Sequence, residues 1–329
     1  MQIYRDKDVD LSIFDGKKIA VLGYGSQGRA QALCFKDSGL DVTVGVRING
    51  PSWKQAKEDG MKVTDFVDAV KDADVVMMLL PDEVQPEIYK EFVEPNLKKG
   101  CALEFAHGFA ITFKTIVPPD DVDVIMMAPK GPGNMIRNIY QEGFGVPAMV
   151  CIHQDVSGKA KDIALALAKG MGCTRAGVFE STFQREACTD LFGEQAVLCG
   201  GITALIKAGF DTLVEAGYPP EMAYFEVLHE TKLVVDLINR GGLDYMWQEV
   251  SNTAEYGGLT RRDRIVNDDS RAEMKKILKE IEDGTFAGQW VAEWNAGLPN
   301  LKKMEEEERN LQIEKVGKEI RELFLKRNN

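Results

Sequence analysis

Histidine is scarce in this sequence, with three in 329 residues, and the six cysteines at 34, 101, 151, 173, 188 and 199 include no C-x-x-C pair. Neither a cysteine-rich zinc site nor a disulfide framework fits that pattern, and thiols set in apolar runs suit buried positions in a reducing compartment. Positive charge is also in deficit, since 40 Lys and Arg against 52 Asp and Glu leave a net charge of −12. Such a surface repels a nucleic-acid backbone, so no nucleic-acid partner is expected. A small-molecule anionic substrate fits only where a metal ion or local cation offsets the field. No window is read as approaching the run of about 18 apolar residues that spans a bilayer, so no membrane partner is expected either. The opening stretch MQIYRDKDVDLSIFDGKK carries charges where an export signal keeps an apolar run, and the expected location is cytoplasmic.

What is present is the composition of a globular protein, 44% hydrophobic and 28% charged, in a chain longer than one core usually serves. Two domains are predicted. From Ile19 to about Val178, short β-type runs alternate with helical patterns: Ile19–Leu22, Val42–Val46, Val75–Leu80, Ala102–Phe105, Val124–Met127 and Ala148–Ile152. These runs are nearly continuous in apolar residues, as strands covered by helices on both faces require. The expected fold class is α/β, with a Rossmann-type, doubly wound parallel sheet over 1–182. Past Val178 the β-type runs stop, and 183–329 is predicted to be all-helical. Its last helix sets Ile313, Val316, Ile320, Leu323 and Phe324 at helical spacing for one apolar face.

The first strand runs into Gly23-Tyr24-Gly25-Ser26-Gln27-Gly28 and then a helical segment, the strand, glycine turn and helix order of a dinucleotide fingerprint. Glycines there allow the turn and let backbone N–H groups approach a pyrophosphate at the positive end of a helix. The second strand ends in Val46-Arg47-Ile48-Asn49-Gly50-Pro51-Ser52, with no acid to hold a ribose 2′-hydroxyl. Arg47 and Ser52 suit a 2′-phosphate instead, which leans towards NADPH, although one cation in a short loop leaves NADH use open. Later strand ends carry Asp82, Glu83, Val84 and Gln85, then His107, then Lys130 with Gly133, and ligands of open α/β sheets bind at those ends. His107 suits a polar group near the nicotinamide or a loop cap, and Lys130 an anionic substrate or a metal-bound water.

In the helical half, Asp190 with Glu194 and Glu226 with Glu230 each stand at i and i+4, so each pair points two like charges at one small volume. Their neighbours are Leu, Phe, Val and Ala. Desolvated carboxylates so placed need cations, and hard oxygen donors suit Mg²⁺. A solvated helix face is the bland alternative. A di-iron site would need a second Glu-x-x-His beside Glu226-x-x-His229, and this half has none. The stretch Glu249–Gly257 is either a polar substrate loop or a helix start capped by Ser251 or Asn252.

Taken in order, GYGSQG, LLPDEVQ, FAHGF, PKGPG, TDLFGEQAVLCGG, FEVLHETKLVVDL and SNTAEYG make the chain resemble the ketol-acid reductoisomerases along nearly its whole length. The resemblance implies a Mg²⁺-assisted alkyl shift in 2-acetolactate or 2-aceto-2-hydroxybutanoate, then reduction by NADPH or NADH to a 2,3-dihydroxy acid in valine and isoleucine biosynthesis. It implies two Mg²⁺, with Asp190 bridging both, Glu194 on one, and Glu226 and Glu230 supporting the other. Ser251 would hold the substrate carboxylate, and His107, Lys130 and Glu230 would serve catalysis. Tyr24, Gly25, Ser26, Gln27, Arg47, Ser52, Asp82, Glu83, Val84, Gln85 and Gly133 would contact the cofactor. One copy of the carboxylate segments marks the short form, which implies a knotted helical domain and at least a homodimer with active sites shared between chains. Arg29, Ala110 and Ala187-Cys188 depart from the family pattern, where a histidine, an asparagine and a more polar pair are usual. The rival is a metal-free hydroxy acid dehydrogenase of the same two-domain plan, which would have no use for the paired acids.

Overall fold

The computed structural model describes residues 2–325, with side chains described through Leu323. It divides into two compact units, Met1–Thr189 and Asp190–Asn329. The first is built on one nine-stranded sheet. Its strands are β1 (Ile3–Tyr4), β2 (Lys18–Leu22), β3 (Asp41–Gly45), β4 (Lys62–Thr64), β5 (Val75–Met78), β6 (Ala102–Phe105), β7 (Asp123–Pro129), β8 (Ala148–Gln154) and β9 (Val178–Ser181). Their spatial order is β1-β9-β8-β7-β6-β5-β2-β3-β4. All the predicted strands form, with ends within about two residues of those read from the sequence.

Alternation explains the continuous apolar runs. Ile19 and Val21 on β2 enter one core with Val44, Met77 and Ile125, while Ala20 and Leu22 enter the opposite core with Val76, Leu103 and Met126. Successive side chains of a strand point to opposite faces, so a sheet covered on both sides needs an apolar residue at every position. Helix α1 (Ser26–Asp37) covers the first face with Ala30, Cys34 and Phe35 buried, and ends where Gly39 takes φ +81°. Phe35 is wholly buried, and such a side chain contributes about 1.5–3 kcal/mol.

The expectation of a wholly parallel sheet is corrected at β7 and β8, which pair antiparallel, Pro129 opposite Ala148. Lys130 N donates to Pro147 O at 2.8 Å, so the chain from 130 to 147 is a hairpin excursion. Its helix, Gly133–Gln141, packs on α1 and does not cross over to start a parallel strand. The short strands β1, β4 and β9, of which β1 and β4 are the sheet edges, carry too few apolar residues to stand out in the sequence.

The second unit is all-helical over its described residues, with the longer helices at Gly200–Glu215, Glu230–Glu249, Asn252–Ile265, Asp268–Glu282, Thr285–Asn295, Pro299–Arg309 and Gln312–Leu325. Phe210, Ala223, Tyr224, Ile313 and Ile320 form its core, with Val316 packed against it. Leu323 does not share that face and is 67% exposed, and the side chain of Phe324 lies outside the described residues. The Glu230–Glu249 helix is kinked at Gly242, whose φ of 85° and ψ of −178° suit only glycine. One reading of apolar content is also corrected. The helical run Phe183–Glu215 contains an 18-residue window of mean hydropathy 1.5, long and apolar enough to cross a membrane.

Candidate active site

At the carboxyl end of β2 the glycines divide into two kinds. Gly23 takes φ +99°, and a Cβ there would meet Leu79 O at 2.4 Å; a Cβ on Gly28 would meet Gly23 O at 2.4 Å. These two are glycine because protein packs against them. A Cβ on Gly25 would meet nothing within 4 Å, which leaves its backbone open at the amino end of α1, the place where dinucleotide-binding folds in general receive a pyrophosphate. Ser26 is exposed at the first position of α1. Gln27 turns sideways, its Nε2 donating to Gly131 O at 3.0 Å. Tyr24 is buried with its ring in the sheet core, and its hydroxyl donates to Asp59. Burial first, and Asp59 second, push that phenol above its ordinary value.

The β3 end closes as a tight turn in which Gly50 N donates to Arg47 O at 3.1 Å and Asn49 takes φ 61°. Arg47 is exposed, and Ser52 is half-buried in the first turn of helix α2 (Pro51–Glu58). After β5, Asp82, Glu83 and Val84 are half-buried. Gln85 is buried and folds back on the same turn, donating to Leu80 O at 2.8 Å. Gly133 lies against α1, since a Cβ there would meet Ser26 O at 2.2 Å.

His107 and Lys130, at the ends of β6 and β7, are joined by a residue that the sequence reading did not name. Glu186 is 1% exposed and sits on the helix Phe183–Gly193. Its Oε2 accepts from His107 Nδ1 at 3.0 Å and from Gly108 N at 2.9 Å, and its Oε1 accepts from Lys130 Nζ at 2.7 Å. Burial alone would raise this carboxyl, but His107 and Lys130 outweigh it and hold it down to about 2. An ionised carboxylate at Nδ1 makes that nitrogen a donor. The helix can come this close because residue 108 is glycine: a Cβ there would meet Phe183 O at 2.4 Å and Ala187 at 3.1 Å. Ala187 and Cys188 are buried, which accounts for small side chains in place of a more polar pair. A signal for Glu186 was available, because Glu186, Asp190 and Glu194 repeat at the four-residue spacing of one helix face.

Both carboxylate pairs of the helical unit adjoin wide turns. The helix bearing Asp190 ends at Gly193 and continues as a π turn, Glu194–Leu198, in which Cys199 N donates to Glu194 O at 3.0 Å. Glu226 lies inside a second π turn, Phe225–His229, closed by Glu230 N donating to Phe225 O. The regular α-helical spacing expected of Glu226 and Glu230 is therefore corrected to one wider turn, a device common at functional sites. Asp190 is half-buried, whereas Glu194, Glu226 and Glu230 are exposed, so the desolvation expected from their apolar neighbours is absent for those three. Ser251 is the cap of the Asn252–Ile265 helix, its Oγ accepting from Ala254 N at 3.2 Å. Of the two readings of that stretch, the helix start is the one that forms.

Comparison with known proteins agrees along both units. Residues 13–177 match the family described as acetohydroxy acid isomeroreductase, NADPH-binding domain, and residues 183–326 match the ketol-acid reductoisomerase C-terminal domain. The chain is 56% identical to the ketol-acid reductoisomerase (NADP(+)) of Methanocaldococcus jannaschii over 323 residues, covering 98% of each. The same identity and coverage relate it to the enzyme of that name from Methanococcus maripaludis. A solved NADH-preferring ketol-acid reductoisomerase from an uncultured archaeon superposes with a TM-score of 0.95 at 53% identity, covering 98% of this chain and 99% of that one. With the fingerprint turn, the His107–Glu186–Lys130 cluster and the paired acids in one chain, these matches settle the assignment: the protein belongs to the ketol-acid reductoisomerase family.

Proposed function

We infer that the chain rearranges 2-acetolactate or 2-aceto-2-hydroxybutanoate by an alkyl shift and reduces the product to a 2,3-dihydroxy acid. The observation that carries this reading is the donor set of the helical unit. Asp190, Glu194, Glu226 and Glu230 offer only oxygen, in two helix-borne pairs, with three of the four exposed to receive a ligand. A metal-free dehydrogenase would have no use for them. Oxygen donors with room for water fit two Mg²⁺. Asp190 would bridge the two, Glu194 would hold one, and Glu226 and Glu230 would support the other. Bound magnesium supplies the Lewis acid for the alkyl shift, and bound NADPH or NADH supplies the hydride.

Ser251 holds the substrate carboxylate. Lys130, half-buried and fixed by Glu186, keeps its charge aimed at an anionic substrate, and His107, held by the same carboxylate, serves as a polar group near the nicotinamide. Glu230 would take part in proton handling as well as supporting a metal. The cofactor would be held at the β2 turn, with Gly25, Ser26 and Gln27 as its pyrophosphate contacts and Tyr24 shaping the turn from behind. Arg47 and Ser52 take the 2′-phosphate, so NADPH is preferred, and the single cation keeps discrimination against NADH modest. Asp82, Glu83, Val84, Gln85 and Gly133 border the same groove.

The active unit is a dimer with a knotted helical region, in which Asp190 and Glu194 of one chain meet Glu226, Glu230 and Ser251 of a second. Supporting this are the exposed Val197, Leu198, Leu205, Met222, Leu233 and Leu243 of the helical unit. Protein, not lipid, is the cover these residues suit, because Lys207 and Asp211 stand within the apolar part of the Phe183–Glu215 run and charged side chains in a bilayer are costly.

Steady-state kinetics on 2-acetolactate with NADPH and NADH at several magnesium concentrations tests the reading. Turnover should require magnesium. Asp190→Asn or Glu226→Gln should lower isomerisation about a thousandfold while leaving NADPH binding nearly unchanged. Undiminished turnover after chelation of magnesium would sink it.

A further inference from the structure

The carboxyl end of α2 is tied to the glycine turn by one side chain. Asp59, which follows α2, is only 13% exposed. Its Oδ2 accepts from the Tyr24 hydroxyl at 2.9 Å and from Arg29 Nε at 2.7 Å. Its Oδ1 accepts from Arg29 Nη2 at 2.9 Å and from Gln55 Nε2 at 3.3 Å. Tyr24 belongs to the glycine turn itself, and Arg29 belongs to the first turn of α1, where its N–H donates to Gly25 O at 2.9 Å. Lys36, further along α1, adds a second tie by donating to Asp59 O at 3.1 Å and Gly60 O at 2.9 Å. Arg29, working against burial and aided by Tyr24, holds the Asp59 carboxyl below its usual range, so the carboxylate stays charged at neutral pH.

Ser52 precedes Asp59 by two helical turns. The two therefore stand on one face of α2, about 10 Å apart along its axis. The helix acts as a short rigid lever. At its start are Ser52 and the Arg47 turn, and at its end Asp59 grips the turn that receives the pyrophosphate.

We propose that Asp59 is a positioning residue for cofactor selection: through α2 it fixes Ser52 and Arg47 at the spacing from the glycine turn that a 2′-phosphorylated dinucleotide needs. This rests on reading Arg47 and Ser52 as the 2′-phosphate grip. NADPH engages both ends of the lever, and NADH engages only the glycine turn. Releasing Asp59 therefore weakens NADPH more than NADH.

The test uses the full-length enzyme with magnesium, comparing wild type, Asp59→Asn and Tyr24→Phe by fluorescence titration with NADPH and with NADH and by kcat and KM on 2-acetolactate. Asp59→Asn should raise the Kd for NADPH about tenfold and that for NADH no more than about twofold, with kcat at saturating NADPH within about twofold of wild type. Tyr24→Phe, which keeps the Arg29 pair, should shift the ratio the same way by about threefold. An Arg47→Ala/Ser52→Ala double variant should lose NADPH affinity selectively, and adding Asp59→Asn to it should cost NADPH nothing further. If that double variant behaves as expected but Asp59→Asn raises both Kd values equally, or lowers Tm with the ratio unchanged, the role given to Asp59 is wrong. If the double variant leaves NADPH affinity unchanged, the grip itself is misassigned, and the proposal falls with it.

Discussion

The sheet unit and the helical unit treat acidic side chains in opposite ways. In the first, Glu186 is buried and satisfied by His107, Gly108 and Lys130, and Asp123 is buried and accepts from Val156 N, Ser157 N and the Ser157 hydroxyl. In the second, Glu194, Glu226 and Glu230 are exposed, beside leucines and valines that are exposed as well. The sheet unit pairs those two acids internally and encloses two cores of its own. The helical unit presents both kinds of surface that folding normally hides or pairs, which is what a half-interface carrying half of a metal site would present.

The strongest way to break that comparison is dilution. With the subunits separated, activity and magnesium binding should fall together towards zero, while NADPH titration of the sheet unit changes little. Leu198→Glu, which puts a charge among the exposed apolar residues, should move the dissociation midpoint upwards by an order of magnitude or more. Sedimentation velocity and activity followed over the same concentration series give both readings. A monomer with full turnover would show that the helical unit is complete in one chain.

A smaller effect sharpens the comparison from the other side, because the sheet unit has one acid that it does not satisfy fully. Glu104 on β6 is wholly buried between Met77 and Ile125; its Oε1 accepts from Met127 N at 3.1 Å, and its Oε2 has no hydrogen-bond partner. Burial in this apolar setting pushes its pKa up from 4.5 to about 8, with the Met127 bond pulling only slightly the other way. A raised carboxyl favours the folded state fully below the unfolded pKa, and that contribution is lost as pH rises towards the folded one. Stability should therefore decline between pH 4.5 and about 8. Glu104→Gln should flatten that decline, with a difference on the order of a few kcal/mol between the two ends. Urea unfolding at pH 5 and pH 8 measures it, and equal slopes in variant and wild type would remove Glu104 as the cause.

The smallest expected effect separates the cap role of Ser251 from its proposed hold on the substrate carboxylate. Ser251→Ala should cost about 1 kcal/mol of stability through the lost cap and should also raise the KM for 2-acetolactate. Ser251→Asn keeps a capping oxygen, so it should restore stability but not KM. Recovery of both would leave Ser251 a cap alone.

Most of the sheet was legible in the sequence because a strand buried on both faces must be apolar at every position, and β2, β3, β5, β6, β7 and β8 all are nearly so. The direction of β8 was not legible, since a helix between two strands looks the same in sequence whether the chain crosses over or returns. The fingerprint turn and the two acid pairs were visible as local spacings. Glu186 was passed over although it lies four residues before Asp190, because its partners, His107 and Lys130, are 79 and 56 residues away.

Local rules thus determined which segments are strands, where the nucleotide turn lies and which acids share a helix turn, because each depends on residues within about one turn or one strand of each other. Tertiary structure alone decided that Gly108 brings a helix close enough for Glu186 to join His107 to Lys130, and that Asp59 reaches back to Tyr24 and Arg29. It also decided that Glu194, Glu226 and Glu230 lie exposed on the helical unit. These outcomes depend on close approach between segments far apart in the chain, and no periodicity along the sequence encodes that distance.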